Sequence, residues 1–329
     1  NAVFAENMSV SEKILFTSQL GSMIKAGLPL IEALSAFQDQ QSHSGSAVVI
    51  AKVIQQLQSG VKLSDAMATF PKIFSPQYLA VIRSGENSGT LAESLNYLAI
   101  QLRKENDLGN KVKSALIYPI VVITAMIAVM VFISVSVIPK IVVFAQSSGQ
   151  KLPAYTLAMV GFVNFITKFW YLVILVIILI LVALAMFAQS QTGKVILSRL
   201  VLRLPLVGNL TARYNQARFA RVLGGFYLYG VNIISSFDIL ASSLSNSVYK
   251  ESCSRIKQRL TMGESLAQAI GQERAIYPSI MIRLIKGAEK TGELGSTLDK
   301  LAAYYEEELE VALRNVLALI EPVMIFILG

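Results

Sequence analysis

The segment from Ala115 to Ile138 reads ALIYPIVVITAMIAVMVFISVSVI and contains no charged residue. A helix rises about 1.5 Å per residue, so about 20 apolar residues cross the roughly 30 Å hydrocarbon layer of a membrane. The segment exceeds that length. It therefore predicts a transmembrane helix over residues 115–138.

Two further apolar segments follow this one. Residues 169–188 read FWYLVILVIILILVALAMFA and predict a second transmembrane helix. Residues 316–329 are apolar apart from Glu321 but are too short for a complete span. We expect them to be the start of a third transmembrane helix that the sequence truncates.

The overall composition agrees with a membrane protein. Hydrophobic residues make up 54% of the 329 residues and charged residues only 15%, against about 25% in typical soluble domains. This composition argues against a wholly soluble enzyme. A single cysteine and a single histidine, Cys253 and His43, exclude an internal disulfide, a multi-histidine metal site and a catalytic histidine network.

The basic residues predict the orientation of the spans, because Lys and Arg near span ends stay on the cytoplasmic side. The segment 139–168 contains only three lysines, and we expect it to be an extracytoplasmic loop. We therefore expect residues 1–114 and 189–315 to be cytoplasmic. The basic residues that flank these regions are Arg103, Lys104, Lys111 and Lys113 before the first span, and Lys194, Arg199, Arg203 and Arg213 after the second.

The two cytoplasmic regions are copies of each other. Shifting the chain by 203 positions places Phe16 on Phe219, and one offset then holds without a gap for about a hundred residues. Residues 1–114 are called copy 1 below, and residues 189–315 copy 2. The matched pairs include Leu20/Leu223, Gly60/Gly263, Glu86/Glu289, Leu95/Leu298 and Pro119/Pro322.

Both copies have the pattern of short helices, and no alternating run predicts a strand. Ser9 and Glu12 form a capping-box pattern, and Gly27 and Gly230 follow the first helix of each copy as expected C-terminal caps. Ser75-Pro76 and Tyr277-Pro278 are typical of helix starts with proline in the first position. The predicted fold is all-α, with one helical bundle in each copy and three transmembrane helices.

The most distinctive local motif pairs a carboxylate with a glycine turn. Glu86 precedes Gly89 in copy 1, and Glu289 precedes Gly292 in copy 2. Such a carboxylate can cap a helix, pair with a neighbouring chain or contribute to a cation site. One glutamate per copy falls short of a calcium loop, so we favour capping, and we expect no metal or other cofactor.

The prolines Pro119 and Pro322 lie where each copy meets its apolar segment. Proline removes a helix hydrogen bond and permits a kink. Glu321 is an ionisable residue in an apolar segment, which by default suggests a function, but its counterpart in copy 1 is the neutral Tyr118. We favour a hinge or coupling role for these positions over proton transport.

Charged groups of both signs occur in copy 2. Three arginines, Arg213, Arg218 and Arg221, precede the acidic run at residues 306–310. We interpret both sets as solvated helix faces, although either could dock a charged partner. A dense basic and aromatic stripe is missing, so we expect no nucleic-acid binding.

The chain contains none of the motifs for nucleotide hydrolysis, serine hydrolysis or zinc chemistry. We therefore expect no enzymatic activity, and any energy source must be another protein. The alternative from a different class is a small secondary transporter or channel. Three spans with large cytoplasmic regions and one intramembrane glutamate fit that class poorly.

This arrangement resembles the PilC/GspF family of inner-membrane platform proteins over essentially the whole chain. The residues that carry the resemblance are the pattern from Phe16 to Leu30, the stretch 85–91, Tyr118-Pro119, 137–139 and Glu321-Pro322. Copy 2 departs from the pattern at Ala288 and Asn232, which puts an equal role for the two copies in doubt.

The resemblance implies a scaffold of a type IV pilus or type II secretion machine in the bacterial inner membrane. It implies that the cytoplasmic copies bind a hexameric assembly ATPase and pass its work to pilin or pseudopilin subunits. Arg213, Arg218 and Arg221 are the candidate ATPase contact. The resemblance also implies other inner-membrane assembly proteins as partners and a homo-oligomer. Pilus, secretion and competence systems share this layout.

Overall fold

The computed structural model describes residues 7–41, 45–147 and 190–328, together with scattered positions between 161 and 187. The described residues are helical and contain no strand, which confirms the all-α prediction. His43 and most of the predicted second span, 169–188, lie outside them.

Copy 1 consists of five short helices and one long one. They are α1 (Val10–Lys25), α2 (Leu30–Gln40), α3 (Gly45–Gln58), α4 (Leu63–Ala68), α5 (Pro76–Ser88) and α6 (Leu91–Phe132). A π-helical turn at Ile133–Val137 joins α6 to α7 (Ile138–Ser147). The helical run thus continues nine residues past Ile138, where the sequence predicted the loop 139–168 to begin.

Copy 2 repeats this order of helices. After α8 (Gln191–Arg203) come α9 (Val207–Leu228), α10 (Ile233–Ser243), α11 (Ser247–Thr261), α12 (Leu266–Gly271), α13 (Ser279–Thr291) and α14 (Leu294–Leu328). The bounds of α2, α4 and α5 coincide with those of α10, α12 and α13 after the 203-residue shift.

The helix ends follow from local side chains. The Ser9 hydroxyl accepts the Glu12 backbone N–H at 3.2 Å, and the Glu12 carboxylate accepts the Ser9 N–H at 2.7 Å, which completes the capping box. Gly89 and Gly292 end α5 and α13 with φ +75°. This left-handed conformation suits glycine because it has no Cβ.

The other residues predicted to cap or begin helices also lie at helix ends. Gly27 (φ +92°) and Gly230 (φ +68°) also adopt the left-handed conformation just after α1 and α9. Ser75 caps α5, with Pro76 in the first helical position as predicted. Pro278 is the N-cap of α13 and not its first helical residue, so α13 begins at Ser279, one residue later than predicted.

The two copies form one compact unit rather than two. Residues 1–111 and 201–313 belong to it, and residues 112–200 and 314–329 form a second unit. The buried apolar side chains of both copies join in a single hydrophobic cluster. Its largest members include Phe16, Phe37, Phe74, Phe219, Phe237 and Tyr277. The sequence had led us to expect a bundle in each copy.

Each copy brings its first and last helices into close approach at a glycine. A Cβ atom on Gly21 of α1 would lie 3.0 Å from the Leu95 Cβ of α6. The same distance separates a Cβ on Gly224 from the Leu298 Cβ in copy 2. Glycine is therefore needed at both positions for the helices to pack at this distance.

The second unit exposes apolar side chains along α6. Ile117, Val121, Ile127 and Phe132 are among those that remain exposed. No single helix among the described residues meets length and hydropathy criteria for crossing a membrane. Only Gly193–Arg203 and Val207–Leu228 meet them jointly, and these two segments are bent by 109°.

Lys13 is largely buried beside two aromatic rings. Its ammonium donates to the Ile73 carbonyl at 2.6 Å and lies 4.8 Å from the centre of the Tyr78 ring. Gln216 occupies the same place in copy 2 and donates to the Ile276 carbonyl at 2.9 Å. Burial lowers the pKa of Lys13 to about 8 from an ordinary value near 10.5.

A Lys13→Gln variant should therefore change how stability depends on pH. Between pH 8 and 10.5 the folded wild type binds fewer protons at Lys13 than the unfolded chain, so its free energy of unfolding rises with pH. The total gain is at most about 3 kcal/mol. The variant keeps a donor for Ile73, as Gln216 does in copy 2, and should lack this rise. Denaturant midpoints at pH 7.5 and 9.5 measure the difference, and parallel pH profiles would contradict the prediction.

Candidate functional site: the contact between the two copies

The charged and aromatic residues that distinguish the copies meet where copy 1 touches copy 2 inside the compact unit. Helix α5 of copy 1 lies against α9 and α10 of copy 2, and side chains of α6 reach α9 and α14. We call this surface the inter-copy contact. Its polar members are Gln77, Ser84, Tyr97, Lys104, Glu105 and Lys111 from copy 1, and Arg218, Arg221, Tyr229, Glu306 and Glu310 from copy 2.

Tyr97 forms the aromatic part of the inter-copy contact. Its ring centre lies 4.9 Å from that of Tyr229, and its hydroxyl donates to the Arg221 carbonyl at 3.3 Å. A Cβ atom on Gly225 would collide with the Tyr97 phenol, so only glycine admits this approach. Burial raises the pKa of Tyr97 above its ordinary value, so the hydroxyl stays protonated as a donor. The Ser84 hydroxyl adds a hydrogen bond to the Tyr229 carbonyl.

Arg221 is the most buried charge of the inter-copy contact. Its side chain is 5% exposed, and it donates to both oxygens of Glu306 at 2.9 and 2.7 Å and to Asp299. Burial by itself would lower the pKa of Arg221, but the Glu306 hydrogen bonds raise it above the ordinary value. A bidentate pair of this kind fixes geometry as well as charge.

The other arginines are paired as well. Arg218 donates to Glu105 and, at 3.4 Å, to the amide oxygen of Gln77. Arg213 lies 3.5 Å from Glu308 and 5.8 Å from the centre of the Tyr305 ring.

These pairs give the charged sets partners inside the chain, although Glu308 and Glu310 stay 37% and 41% exposed, as expected of a solvated helix face. The acidic run 306–310 is paired with the basic residues: Glu306 with Arg221, Glu308 with Arg213, and Glu310 with Lys111 at 2.6 Å. The physical reason is that the tertiary fold brings α14 alongside α9 and α6, which no local pattern indicates.

Glu86 and Glu289 each join two helices. The two oxygens of Glu86, on α5, accept the N–H groups of Leu63 and Ser64 at the start of α4, at 2.5 and 3.0 Å. Glu289 does the same for Leu266 and Ala267, at 2.6 and 3.1 Å. The negative charge also interacts favourably with the N-terminal end of the helix dipole. Both oxygens of each carboxylate are thus engaged with backbone donors.

The geometry offers little for a metal ion. The part of the chain that the structure describes holds no group of three or more His, Cys, Asp or Glu residues suited to one. The hydrogen bonds of Glu86 and Glu289 account for their carboxylates without a cation.

The prolines lie within continuous helices. Helix α6 runs through Pro119, and α14 runs through Pro322 and the preceding Glu321. The side chains of Pro119 and Glu321 lie outside what the structure describes. A hinge at these positions stays a prediction.

Analysis of the sequence missed several residues of this site, among them Tyr97, Tyr229, Gly225 and Asp299. A signal for the first three was present in the 203-residue alignment, because each differs in chemistry from its counterpart. Those counterparts are Lys300 for Tyr97, Ala26 for Tyr229 and Ser22 for Gly225. Positions where two copies of one fold diverge are therefore candidates for the contact between them.

Comparison with known proteins agrees with the duplicated fold. The family model for protein F of the type II secretion system matches residues 16–139 and again residues 219–329. The chain belongs to the type II secretion system protein F family. The two matches to this family begin at Phe16 and Phe219, which are 203 residues apart, as the sequence repeat is.

Relatives in the protein F family come from two kinds of machine. The chain is 31% identical over 315 residues to the type IV pilus assembly protein PilC of Thermus thermophilus, covering 96% of this chain and 77% of the relative. It is 29% identical to PilC of Pseudomonas aeruginosa, over 96% of this chain and 84% of the relative. It is also 29% identical to the type II secretion system protein F of Aeromonas hydrophila, over 98% of this chain and 83% of the relative. Sequence identity therefore does not separate the two machines.

Proposed function

We propose that the protein is a non-enzymatic platform of a type IV pilus or type II secretion machine. In this role it lies in the bacterial inner membrane and couples a hexameric cytoplasmic ATPase to the polymerisation of pilin or pseudopilin subunits. The observation that carries the proposal is the family match over both copies, with PilC and protein F relatives along nearly the whole chain.

The compact unit suits the reception of mechanical work. The cluster of buried side chains and the ion pairs of Arg218 with Glu105 and of Lys111 with Glu310 join the copies into one body. Helices α6 and α14 each continue from that body into the apolar segments that begin near residues 115 and 316.

The exposed apolar side chains of α6 support a location in the membrane. Contiguous apolar surface is unfavourable in water and favourable in hydrocarbon. The distribution of lysine and arginine supports cytoplasmic copies and an extracytoplasmic segment 139–168. The lipid bilayer and other inner-membrane assembly proteins complete the proposed surroundings.

The structure narrows the proposed ATPase contact. All three guanidinium nitrogens of Arg221 are already engaged by Glu306 and Asp299 of the same copy, so we leave Arg221 out of the proposed contact. Arg213 and Arg218 have more exposed side chains and stay in the proposal. A partner carboxylate would compete there with Glu308 and Glu105.

Co-purification tests this function directly. The full-length protein is extracted from its native membrane in detergent, and the proteins that accompany it are identified by mass spectrometry. We expect an ATPase with a phosphate-binding loop and pilin-like subunits, and we expect Arg213→Glu to reduce ATPase recovery. Lys250→Glu, at an exposed residue that forms no ion pair with any described residue, is the matched control. A folded preparation that lacks both partners and instead supports solute flux in liposomes would favour the transporter.

Replacing Pro119 and Pro322 together with alanine tests the hinge. Each replacement restores a backbone donor and favours a straight helix by up to about 3 kcal/mol. We expect normal insertion in the membrane but reduced filament assembly or secretion. Pro71→Ala, at an exposed turn, is the control. Normal assembly in the double variant would remove the hinge from the proposal.

A further inference from the structure

The two copies contact each other through different faces. Copy 1 uses α5 and part of α6, whereas copy 2 uses α9, α10 and part of α14. The unlike part of the contact is α5 of copy 1 against α9 and α10 of copy 2. The 203-residue shift relates α5 to α13 and relates α9 and α10 to α1 and α2. The chain therefore has a second, unused version of each face: one on α13 of copy 2, and one on α1 and α2 of copy 1.

The unused face of copy 2 is an apolar stripe on α13. Ile280, Leu284 and Gly287 lie at helical spacing and match Gln77, Val81 and Ser84 of α5. We call these three residues the α13 stripe. All three are exposed, with Ile280 53% and Leu284 44% exposed.

The matched positions in copy 1 are less exposed, with Gln77 and Ser84 half-buried and Val81 buried. Val81, the counterpart of Leu284, is only 1% exposed. Because the helices of the two copies have matching bounds, the difference arises from what lies outside the copy. Copy 2 lies over α5, and nothing among the described residues lies over the α13 stripe to the same extent.

The unused face of copy 1 lies on α1 and the start of α2. Leu15 and Ser22 of α1 match Arg218 and Gly225 of α9, which are covered in the inter-copy contact. Leu15 and Ser22 are themselves exposed. Leu28 and Ile31 are exposed beside them. We call these four residues the α1–α2 face. The α1–α2 face has the apolar Leu15 where α9 has the charged Arg218. An apolar face of this kind is complementary to the apolar α13 stripe.

The charges around the two faces are complementary. Helix α13 carries exposed Arg283, Lys286 and Lys290, and its one carboxylate, Glu289, is used in capping. Helix α2 carries Glu32 and Asp39 and no basic residue, while α1 ends at the exposed Lys25. None of the three cations of α13 or the two anions of α2 forms an ion pair among the described residues. Opposite charges at the rim of an interface guide docking and set its register.

We propose that a second copy of this chain docks its α1–α2 face on the α13 stripe, repeating between molecules the contact made within the molecule. In this arrangement Leu15 meets Ile280, just as Arg218 meets Gln77 at 3.4 Å inside the chain. The contact is head to tail, since it joins two different surfaces. Such contacts build rings when the rotation closes and open chains when it does not. The inference does not depend on the proposed function.

Cysteine cross-linking of the full-length protein in its native membrane tests the geometry. Two differently tagged forms, Leu15→Cys and Ile280→Cys, are co-expressed and oxidised. The native Cys253 does not interfere, because it is fully buried and burial raises its pKa to about 12. We expect a disulfide-linked dimer that carries both tags. Met262→Cys, at an exposed residue away from the α13 stripe, replaces Ile280→Cys in the control and should give no dimer.

The same experiment can overturn the proposal in two ways. Failure of Leu15→Cys and Ile280→Cys to link above the control level would exclude the contact. A form with Leu15→Cys alone that links to itself would show a symmetric contact instead of a head-to-tail one.

A second variant tests the energetics of the α13 stripe. Leu284→Glu places a charge in the proposed contact and should weaken association between full-length chains in detergent at least about tenfold. Leu284→Met should leave it nearly unchanged. Leu284 is exposed in the single chain, so the unfolding midpoint of the Glu variant should stay close to that of the wild type. Undiminished association of the Glu variant would contradict the proposal.

Discussion

The Arg221→Met variant should lower the free energy of unfolding of the compact unit by about 3 kcal/mol. The substitution removes a nearly buried cation and leaves Glu306 and Asp299 without their shared partner, at 31% and 50% side-chain exposure. Truncating one member of a buried ion pair costs about 3–5 kcal/mol because the remaining charge has lost the interaction that offset its burial. The lower end applies here because both carboxylates are partly exposed. Denaturant titration of the full-length protein in detergent measures the loss.

Arg218→Met provides the matched control for this prediction. Arg218 joins copy 2 to copy 1 through Glu105, whereas Arg221 joins α9 to α14 within copy 2. Glu105 is well exposed, and exposed pairs contribute about 1 kcal/mol or less. A double-mutant cycle between Arg221→Met and Glu306→Gln should show a coupling of more than about 1 kcal/mol. Equal losses of stability in the two arginine variants would mean that the burial of Arg221 does not determine the strength of its ion pairs.

The second large effect is expected at the paired carboxylates. Glu86→Ala and Glu289→Ala should each lower the free energy of unfolding by about 2 kcal/mol. Each change leaves two backbone N–H groups without an acceptor at the start of a short helix, and it also disconnects α4 from α5 or α12 from α13. Because the two sites lie in different copies, the losses should add in the double variant.

Glu307→Ala is the control for the carboxylate prediction. Glu307 is exposed and forms no ion pair among the described residues, so its loss should change stability by less than about 0.5 kcal/mol. If Glu86→Ala were as mild as Glu307→Ala, the hydrogen bonds to α4 would not be what holds that helix.

Metal addition separates capping from cation binding at the same residues. A ligand that binds only the folded state raises the unfolding midpoint by mass action. We expect millimolar Ca²⁺, Mg²⁺ or a chelator to leave the wild-type midpoint unchanged beyond the effect of matched ionic strength. A specific increase that disappears in Glu86→Ala or Glu289→Ala would support the cation site instead.

Much of the helical pattern could be predicted from the sequence. Helix ends depend on residues within one or two turns, so they can be predicted without knowledge of the fold. Examples are the capping box of Ser9 and Glu12, the left-handed glycines and Pro76. The 203-residue repeat extended this knowledge, since evidence for a helix in one copy also counts for the other.

The pairing of charges could not be predicted in the same way. Arg221 and Glu306 are 85 residues apart, and Lys111 and Glu310 are 199 apart. Each belongs to a local pattern that is typical of a solvated helix face. Only the packing of α6, α9 and α14 in three dimensions makes these residues neighbours.

Local chemistry and comparison along the chain were enough to establish the helical class, the apolar segments, the duplication and the family. That the two copies form one body, with α5 of copy 1 against α9 and α10 of copy 2, became known only from the packing in three dimensions. Two copies of the same fold can pack in several ways. The choice among them depends on the few positions, such as Tyr97 and Gly225, at which the copies differ and on the free energy of burying them together.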